Sequence, residues 1–299
     1  MYDIIIVGAG PAGMTAALYA LRANKKVLLL ESKIHGGQIV NAGLVENYPG
    51  IPNISGFEYA TALYEQVVNL GGEFKYETVI RVDENRHVTT NEGEYDGKAV
   101  ILATGAENRK LGIAREADMV GKGVSYCATC DGAFFKGKNV AVVGGGNTAL
   151  EDTVYLSNIA KKVYLIHRRD ELRGEEKYQD ELKEKDNVEY VFNSTVIAIL
   201  GEDALTGIEV KSNDGEVRKI DVDGVFIAVG QEPKNEIFSN VVKLDARGYI
   251  ESDDGVHTSS EGIYVAGDAR VKELRQLTTA VGDGANAATV AIKEMRRDK

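Results

Sequence analysis

The chain has few of the residues that staple small folds or hold structural metals. Its 299 residues include 2 cysteines and 4 histidines. The histidines, His35, His87, His167 and His257, are scattered, and there is no second cysteine pair. A structural zinc site needs four ligands, and no such set is apparent, so no metal is expected. Positive charge is also in deficit: 35 basic against 46 acidic residues give a net charge of −11. That argues against a broad electrostatic grip on nucleic acid. Only the stretch from Lys161 to Arg173 is locally basic, which suits a small anionic ligand. Long apolar runs are missing as well. The longest uncharged segment, Ile4 to Leu21, is interrupted by Gly8, Gly10, Pro11 and Gly13. It reads as strand, turn and helix rather than as a membrane span. No basic region or cleavage site precedes the first strand, so the expectation is a cytoplasmic protein with no membrane association.

What is present is a soluble composition, 43% apolar and 27% charged, with room for about two domains. The two cysteines stand together as Cys127-Ala128-Thr129-Cys130, followed by Asp131-Gly132. A disulfide closing so short a loop would contribute roughly 2 kcal/mol before strain. A reducing cytosol would hold such a bond open unless its potential were unusual. The reading favoured over a staple or a metal site is a redox-active pair.

On either side of the cysteines lies a strand, a glycine turn and a helix. The first is Asp3-Ile4-Ile5-Ile6-Val7, then Gly8-Ala9-Gly10-Pro11-Ala12-Gly13, then a helix through Ala16, Leu18 and Leu21. A second strand, Val27 to Leu30, ends at Glu31. A glycine-rich motif in this full context is the signature of a dinucleotide site: the turn admits a pyrophosphate to the helix N-terminus, and the acid accepts from a ribose hydroxyl. The second copy runs from Asn139 to Val143, through Gly144-Gly145-Gly146-Asn147-Thr148-Ala149, to Lys162–Ile166. Where the first copy has Glu31, the second has His167-Arg168-Arg169, with Arg173 beyond. Arginines there suit a 2′-phosphate, so the second module is expected to prefer NADPH to NADH. A solvated basic face is the plainer reading, and Glu175 and Glu176 would oppose the phosphate if they pointed inward.

The modules also close alike, at Val100–Gly105 and Val225–Gly230. A further strand, Gly262 to Asp268, and a helical stretch from about Gln276 to Arg296 have no counterpart until the second module has ended. The expected architecture is α/β, two Rossmann-like dinucleotide-binding domains with the second inserted into the first. The boundaries are expected at 1–112, 113–242 and 243–299.

Taken in order, these motifs resemble the low-molecular-weight, bacterial-type thioredoxin reductases over essentially the whole chain. The resemblance rests also on Gly36-Gly37-Gln38, Val45-Glu46-Asn47-Tyr48-Pro49-Gly50, Ala103-Thr104-Gly105, Gly267-Asp268 and Arg275-Gln276. It implies FAD in the interrupted domain, NADPH in the inserted one, thioredoxin as the protein substrate and a homodimer. Gly36, Gly37, Gln38, Asn47, Thr104, Gly105, Asp268, Arg275, Gln276 and Leu277 would surround the flavin. Gly144, Gly146, Asn147, Thr148, His167, Arg168, Arg169 and Arg173 would hold NADPH.

By the family pattern Cys130 faces the flavin and Cys127 attacks the substrate disulfide. Asp131 is the expected proton donor and acceptor, and it also stands where it could cap a helix containing Gly132 to Phe135. The resemblance further implies rotation of the inserted domain, with hinges expected near Leu111–Gly123 and Gln231–Leu244. One departure is Gln231, where many relatives carry His: glutamine cannot shuttle a proton. Three alternatives remain: a related flavoprotein serving a thioredoxin-like or peroxidase partner, a ferredoxin-dependent relative, and a non-catalytic redox sensor. The ferredoxin-dependent case would have no use for the arginines.

Overall fold

The structure is a computed structural model that describes residues 1–42, 44–253 and 255–296. The chain divides into two compact units, one formed by Met1–Glu107 with Glu232–Lys299 and the other by Asn108–Gln231.

The first segment runs β1 (Tyr2–Val7), α1 (Pro11–Arg22), β2 (Val27–Leu30), α2 (Gly56–Asn69), β3 (Glu73–Lys75), β4 (Val79–Val82), β5 (His87–Thr90) and β6 (Glu94–Leu102). β7 (Glu107–Asn108) then carries the chain into the second unit. There it forms β8 (Val124–Ser125), α3 (Ala128–Asp131), β9 (Asn139–Val143), α4 (Asn147–Ser157), β10 (Lys162–Ile166), α5 (Glu176–Lys183) and β11 (Val188–Val191). The strands β12 (Ser194–Leu200), β13 (Gly207–Ser212), β14 (Val217–Ile220) and β15 (Gly224–Ile227) complete it. The chain returns through β16 (Gln231–Glu232), which pairs with β7, and ends with β17 (Ile263–Val265) and α6 (Leu277–Glu294).

The first unit is built on a parallel sheet ordered β3-β2-β1-β6, with β17 on the far side of β6. β6 is long enough to pair also with β5, which leads into the antiparallel β4. Ile4, Ile6, Val27, Leu29 and Ile101 point to one core, with α1, α2 and α6. Ile5, Val7, Leu28, Leu30 and Leu102 point to the other. Burial of both faces explains why these strands are continuous apolar runs without alternation.

The second unit repeats the order as β11-β10-β9-β15-β8, beside an antiparallel sheet β12-β13-β14. The repeat is permuted at its edge. The fifth strand of the first unit, β17, comes last in the chain, whereas the fifth strand of the second, β8, comes before its glycine turn. β8 therefore delivers the chain directly into Cys127.

The crossings lie at 107/108 and 231/232, ahead of the expected 112/113 and 242/243. Leu111, Ile113 and Val120 pack on the core of the second unit. Phe238, Val241 and Val242 are buried in that of the first. The segments expected to be hinges are thus mostly parts of one unit or the other. Gln231 belongs to the crossing, where its Nε2 donates to Asn108 Oδ1 at 3.0 Å. Glu107 pairs with Lys33 at 2.9 Å and Lys234 at 2.8 Å, and hydrogen bonds from the two lysines lower its carboxyl to about 2.

α1 and α6 approach closely because Gly284 has no side chain. A Cβ there would lie 2.1 Å from the backbone oxygen of Ala12 and 3.1 Å from the amide nitrogen of Ala16. Backbone cannot rotate out of the way, so Gly284→Ala should push the helices apart. We expect a loss of about 3 kcal/mol, the upper end for overpacking, read as a lower urea midpoint.

Candidate active site

In the first unit the glycine turn is fixed by contacts no other residue would permit. Gly8 has φ +104°, and a Cβ on it would stand 2.3 Å from the Ala103 carbonyl oxygen; one on Gly13 would stand 1.9 Å from that of Gly8. Gly10 is the N-cap of α1 and Pro11 opens the helix, where its missing N–H costs nothing. Glu31 Oε2 accepts from the Ala9 amide at 2.9 Å, and Oε1 accepts from the Lys33 amide at 2.9 Å. The acid at the end of β2 is thereby locked against the turn.

Gly36 and Gly37, both at positive φ, bring the next loop onto the same turn: Gly36 N donates to Ala9 O at 2.7 Å. Gln38 follows on the exposed side of that loop. Asn47 Nδ2 donates to Gln276 Oε1 at 3.0 Å, so two of the expected flavin-site residues, distant in sequence, meet in space. Gln276 is the N-cap of α6, which begins at Leu277. Thr104, beside the positive-φ Gly105, donates to Asn235 Oδ1 at 2.8 Å.

Asp268 lies on a 3-10 turn, Gly267–Ala269, and its buried Oδ1 has no hydrogen-bond partner among the described residues. Burial raises its carboxyl above the usual range, against the pull of Lys272 and Arg275. Arg275 stacks over Tyr249 at 4.0 Å. Beneath the turn, Asp283 accepts from the Gly267 amide at 3.1 Å and pairs with Arg270 at 2.9 Å and Lys272 at 2.8 Å. Asn235 and this ion cluster carry no motif that sequence reasoning would recognise.

In the second unit, a Cβ on Gly144 would stand 2.4 Å from Ala228 O, and one on Gly145 2.3 Å from the His167 ring. Gly146 is the N-cap of α4, and Asn147 and Thr148 are exposed on its first turn. His167 is buried beneath the turn; burial and the charges of Arg173, Arg168 and Arg169 lower its pKa. Its place is thus in the floor of the turn. Arg168, Arg169 and Arg173 are exposed. Among the described residues no carboxylate forms an ion pair with any of the three.

Cys127 and Cys130 form a disulfide, with Cα atoms 5.3 Å apart. Cys127 is the N-cap of the short α3, and Cys130 lies inside it. Ser125, at the end of β8, accepts from the Cys127 amide at 3.1 Å and donates to Asp131 Oδ2 at 2.7 Å. Asp131 makes no side-chain cap to the 3-10 turn Gly132–Phe135, contrary to the capping role open to it. Its carboxylate turns to Ser125 instead, and burial raises its pKa. Tyr126 donates to Glu116 at 2.7 Å, and Glu116 also accepts from the amides of Leu111 and Gly112. A Cβ on Gly132 would meet Tyr155 at 2.7 Å, so glycine lets the dithiol turn sit on α4.

Asp152 on α4 was not singled out by the sequence, yet it is buried and its carboxylate accepts from the Ala128 amide. Burial, then the charge of Glu151, raises it from 3.8 to about 7. An acid whose folded pKa is raised binds more protons in the native state. Its penalty is absent below the unfolded pKa and grows as pH rises towards the folded one. A shift of this size corresponds to about 4 kcal/mol. Asp152→Asn keeps an acceptor for Ala128, so it should be more stable than the parent at pH 8. That advantage should shrink as urea midpoints are followed down towards pH 4.

Residues 2–284 match the family described as pyridine nucleotide-disulphide oxidoreductase. The chain is 45% identical to the thioredoxin reductase of Listeria monocytogenes over 298 residues, 98% of this chain and 93% of that protein. It is 45% identical to that of Bacillus subtilis over 293 residues, 96% and 93% of the two chains. Among solved structures, thioredoxin reductase from Streptococcus pyogenes superposes with a TM-score of 0.94 at 42% identity, covering 99% of both chains. The resemblance and the two-domain α/β fold expected from the motifs are thus borne out. No helix among the described residues is long and apolar enough to cross a membrane.

Proposed function

Since the chain belongs to the pyridine nucleotide-disulphide oxidoreductase family, we propose that it reduces the disulfide of thioredoxin with NADPH, through FAD and the Cys127–Cys130 pair. The observation that carries this is a disulfide set beside a half-buried acid, Asp131, in a chain with two dinucleotide folds. FAD and NADPH are the cofactors of the family, and the residues present fit both. In the first unit the unpartnered Asp268 Oδ1 is suited to a ribityl hydroxyl, and Glu31 retains lone pairs for a ribose. Asn47 and Gln276 would lie beside the ring system, with the start of α6 favouring negative charge there. In the second, the turn Gly144–Gly146 would admit the pyrophosphate and the exposed arginines the 2′-phosphate.

The chemistry FAD would supply when bound is passage of an electron pair from NADPH to the disulfide. With two protons, that pair converts Cys127–Cys130 to a dithiol. By the family pattern Cys127, as thiolate, attacks the substrate disulfide, forming a mixed disulfide and releasing one substrate thiolate. Cys130 then attacks Cys127 Sγ, which expels the second substrate thiolate and restores the internal bond. Asp131, which accepts from Ser125, would hold and return a proton. A homodimer, from family resemblance, and a cytoplasmic location, the expectation from the sequence, complete the reading.

The test is NADPH consumption by the purified holoenzyme with oxidised thioredoxin. Turnover is expected. NADPH consumption with a peroxidase-associated or other thioredoxin-like disulfide, and none with thioredoxin, would overturn the choice of partner.

A further inference from the structure

The loop that carries the three arginines is tied to the glycine turn by a side-chain pair. Asn147 Nδ2 donates to Glu175 Oε1 at 2.8 Å, and the Glu175 amide donates back to Asn147 Oδ1 at 2.9 Å. Two backbone bonds act nearby: Arg173 N donates to Gly145 O at 2.7 Å, and Asn193 N to Arg169 O at 3.0 Å. Between them, Gly174 is packed so closely that a Cβ would stand 2.3 Å from Leu150 Cδ1. The loop between β10 and α5 has no regular structure of its own, so these ties set where its arginines stand.

We propose that Glu175 is a positioning residue for nucleotide selection, its reciprocal bonds with Asn147 holding Arg169 and Arg173 in register with the pyrophosphate turn so that a 2′-phosphate is recognised. The proposal rests on the NADPH reading of the second unit. Its sign is opposite to that of simple charge. An acid beside a phosphate site ought to repel the ligand, and its removal ought to tighten binding. Here the Glu175 carboxylate is turned to Asn147 and to Lys177, 3.0 Å away. The hydrogen bond and charge of Lys177 keep it below the usual carboxylate range, so it is ionised at neutral pH. Its removal should free the loop and weaken binding.

Calorimetric titration of the holoenzyme with adenosine 2′,5′-bisphosphate, and with AMP as the probe lacking the 2′-phosphate, separates these effects. Glu175→Ala should bind the bisphosphate about tenfold more weakly, the size of one lost hydrogen bond to a charged group, with AMP unaffected. Glu175→Gln retains the acceptor for Asn147 Nδ2 and should bind both probes like the parent. Bisphosphate binding by Glu175→Ala that is unchanged or tighter would overturn the staple. An equal loss for both probes would overturn it too, because the pair would then be shaping the turn and not the arginines. A parent enzyme that binds the two probes alike would instead remove the 2′-phosphate site itself, and the staple with it.

Discussion

Cys127→Ser and Cys130→Ser are each expected to lower thioredoxin turnover by more than about a thousandfold, as loss of one member of a catalytic unit does. Reduction of bound flavin by NADPH should stay close to the parent rate in both, since the dithiol acts after it. The two variants should differ from one another. With Cys130 on the flavin side, Cys127→Ser keeps the thiolate that can donate charge to oxidised FAD and should show long-wavelength absorption. Cys130→Ser should lack that band and accumulate a mixed disulfide with thioredoxin through Cys127. Exchange of these two phenotypes would reverse the assignment of the sulfurs. Survival of turnover in either variant would end the dithiol mechanism.

The second large effect concerns the nucleotide. Arg168, Arg169 and Arg173 are exposed and carry no competing ion pair among the described residues, so they are available to an incoming anion. Each charge-assisted hydrogen bond to a phosphate contributes roughly 1.5–3 kcal/mol, and two of them predict at least about a hundredfold preference for NADPH over NADH. Arg168→Ala combined with Arg169→Ala should remove most of that preference in kcat/KM and leave the value for NADH nearly unchanged. Equal kcat/KM for the two nucleotides in the parent would refute the assignment and reopen the plainer reading of a solvated basic face.

The glycine turns, the strands before them and the cysteine pair are legible in the sequence because each is dictated locally. A strand with both faces buried must be apolar, and a turn against a neighbouring carbonyl must be glycine. The crossings were not legible. β7 and β16 are two residues each and carry no periodicity, and nothing in Leu111 or Phe238 says which of two cores each will join. β8 was missed for the same reason, although it sets Cys127 at the edge of the parallel sheet. The polar partners were beyond reach on different grounds. Ser125 with Asp131, Asp152 with Ala128, and Asn147 with Glu175 are each brought together by packing, and an isolated Ser, Asp or Glu carries no signal of what it will face. Glu175 shows the consequence: from sequence it stood as a possible repulsive charge, and the structure turns its carboxylate to Asn147 and Lys177.

Electrons are expected to pass from NADPH through FAD and the Cys127–Cys130 disulfide to thioredoxin. This path is tested most directly by an anaerobic visible-spectrum titration of the purified protein, first with NADPH and then with oxidised thioredoxin. The expected result is a yellow protein that is bleached after uptake of two hydride equivalents per chain, one for the flavin and one for the disulfide. Oxidised thioredoxin should then restore the flavin spectrum. A colourless protein that takes up no FAD, or a reduced one that thioredoxin does not reoxidise, would contradict the account.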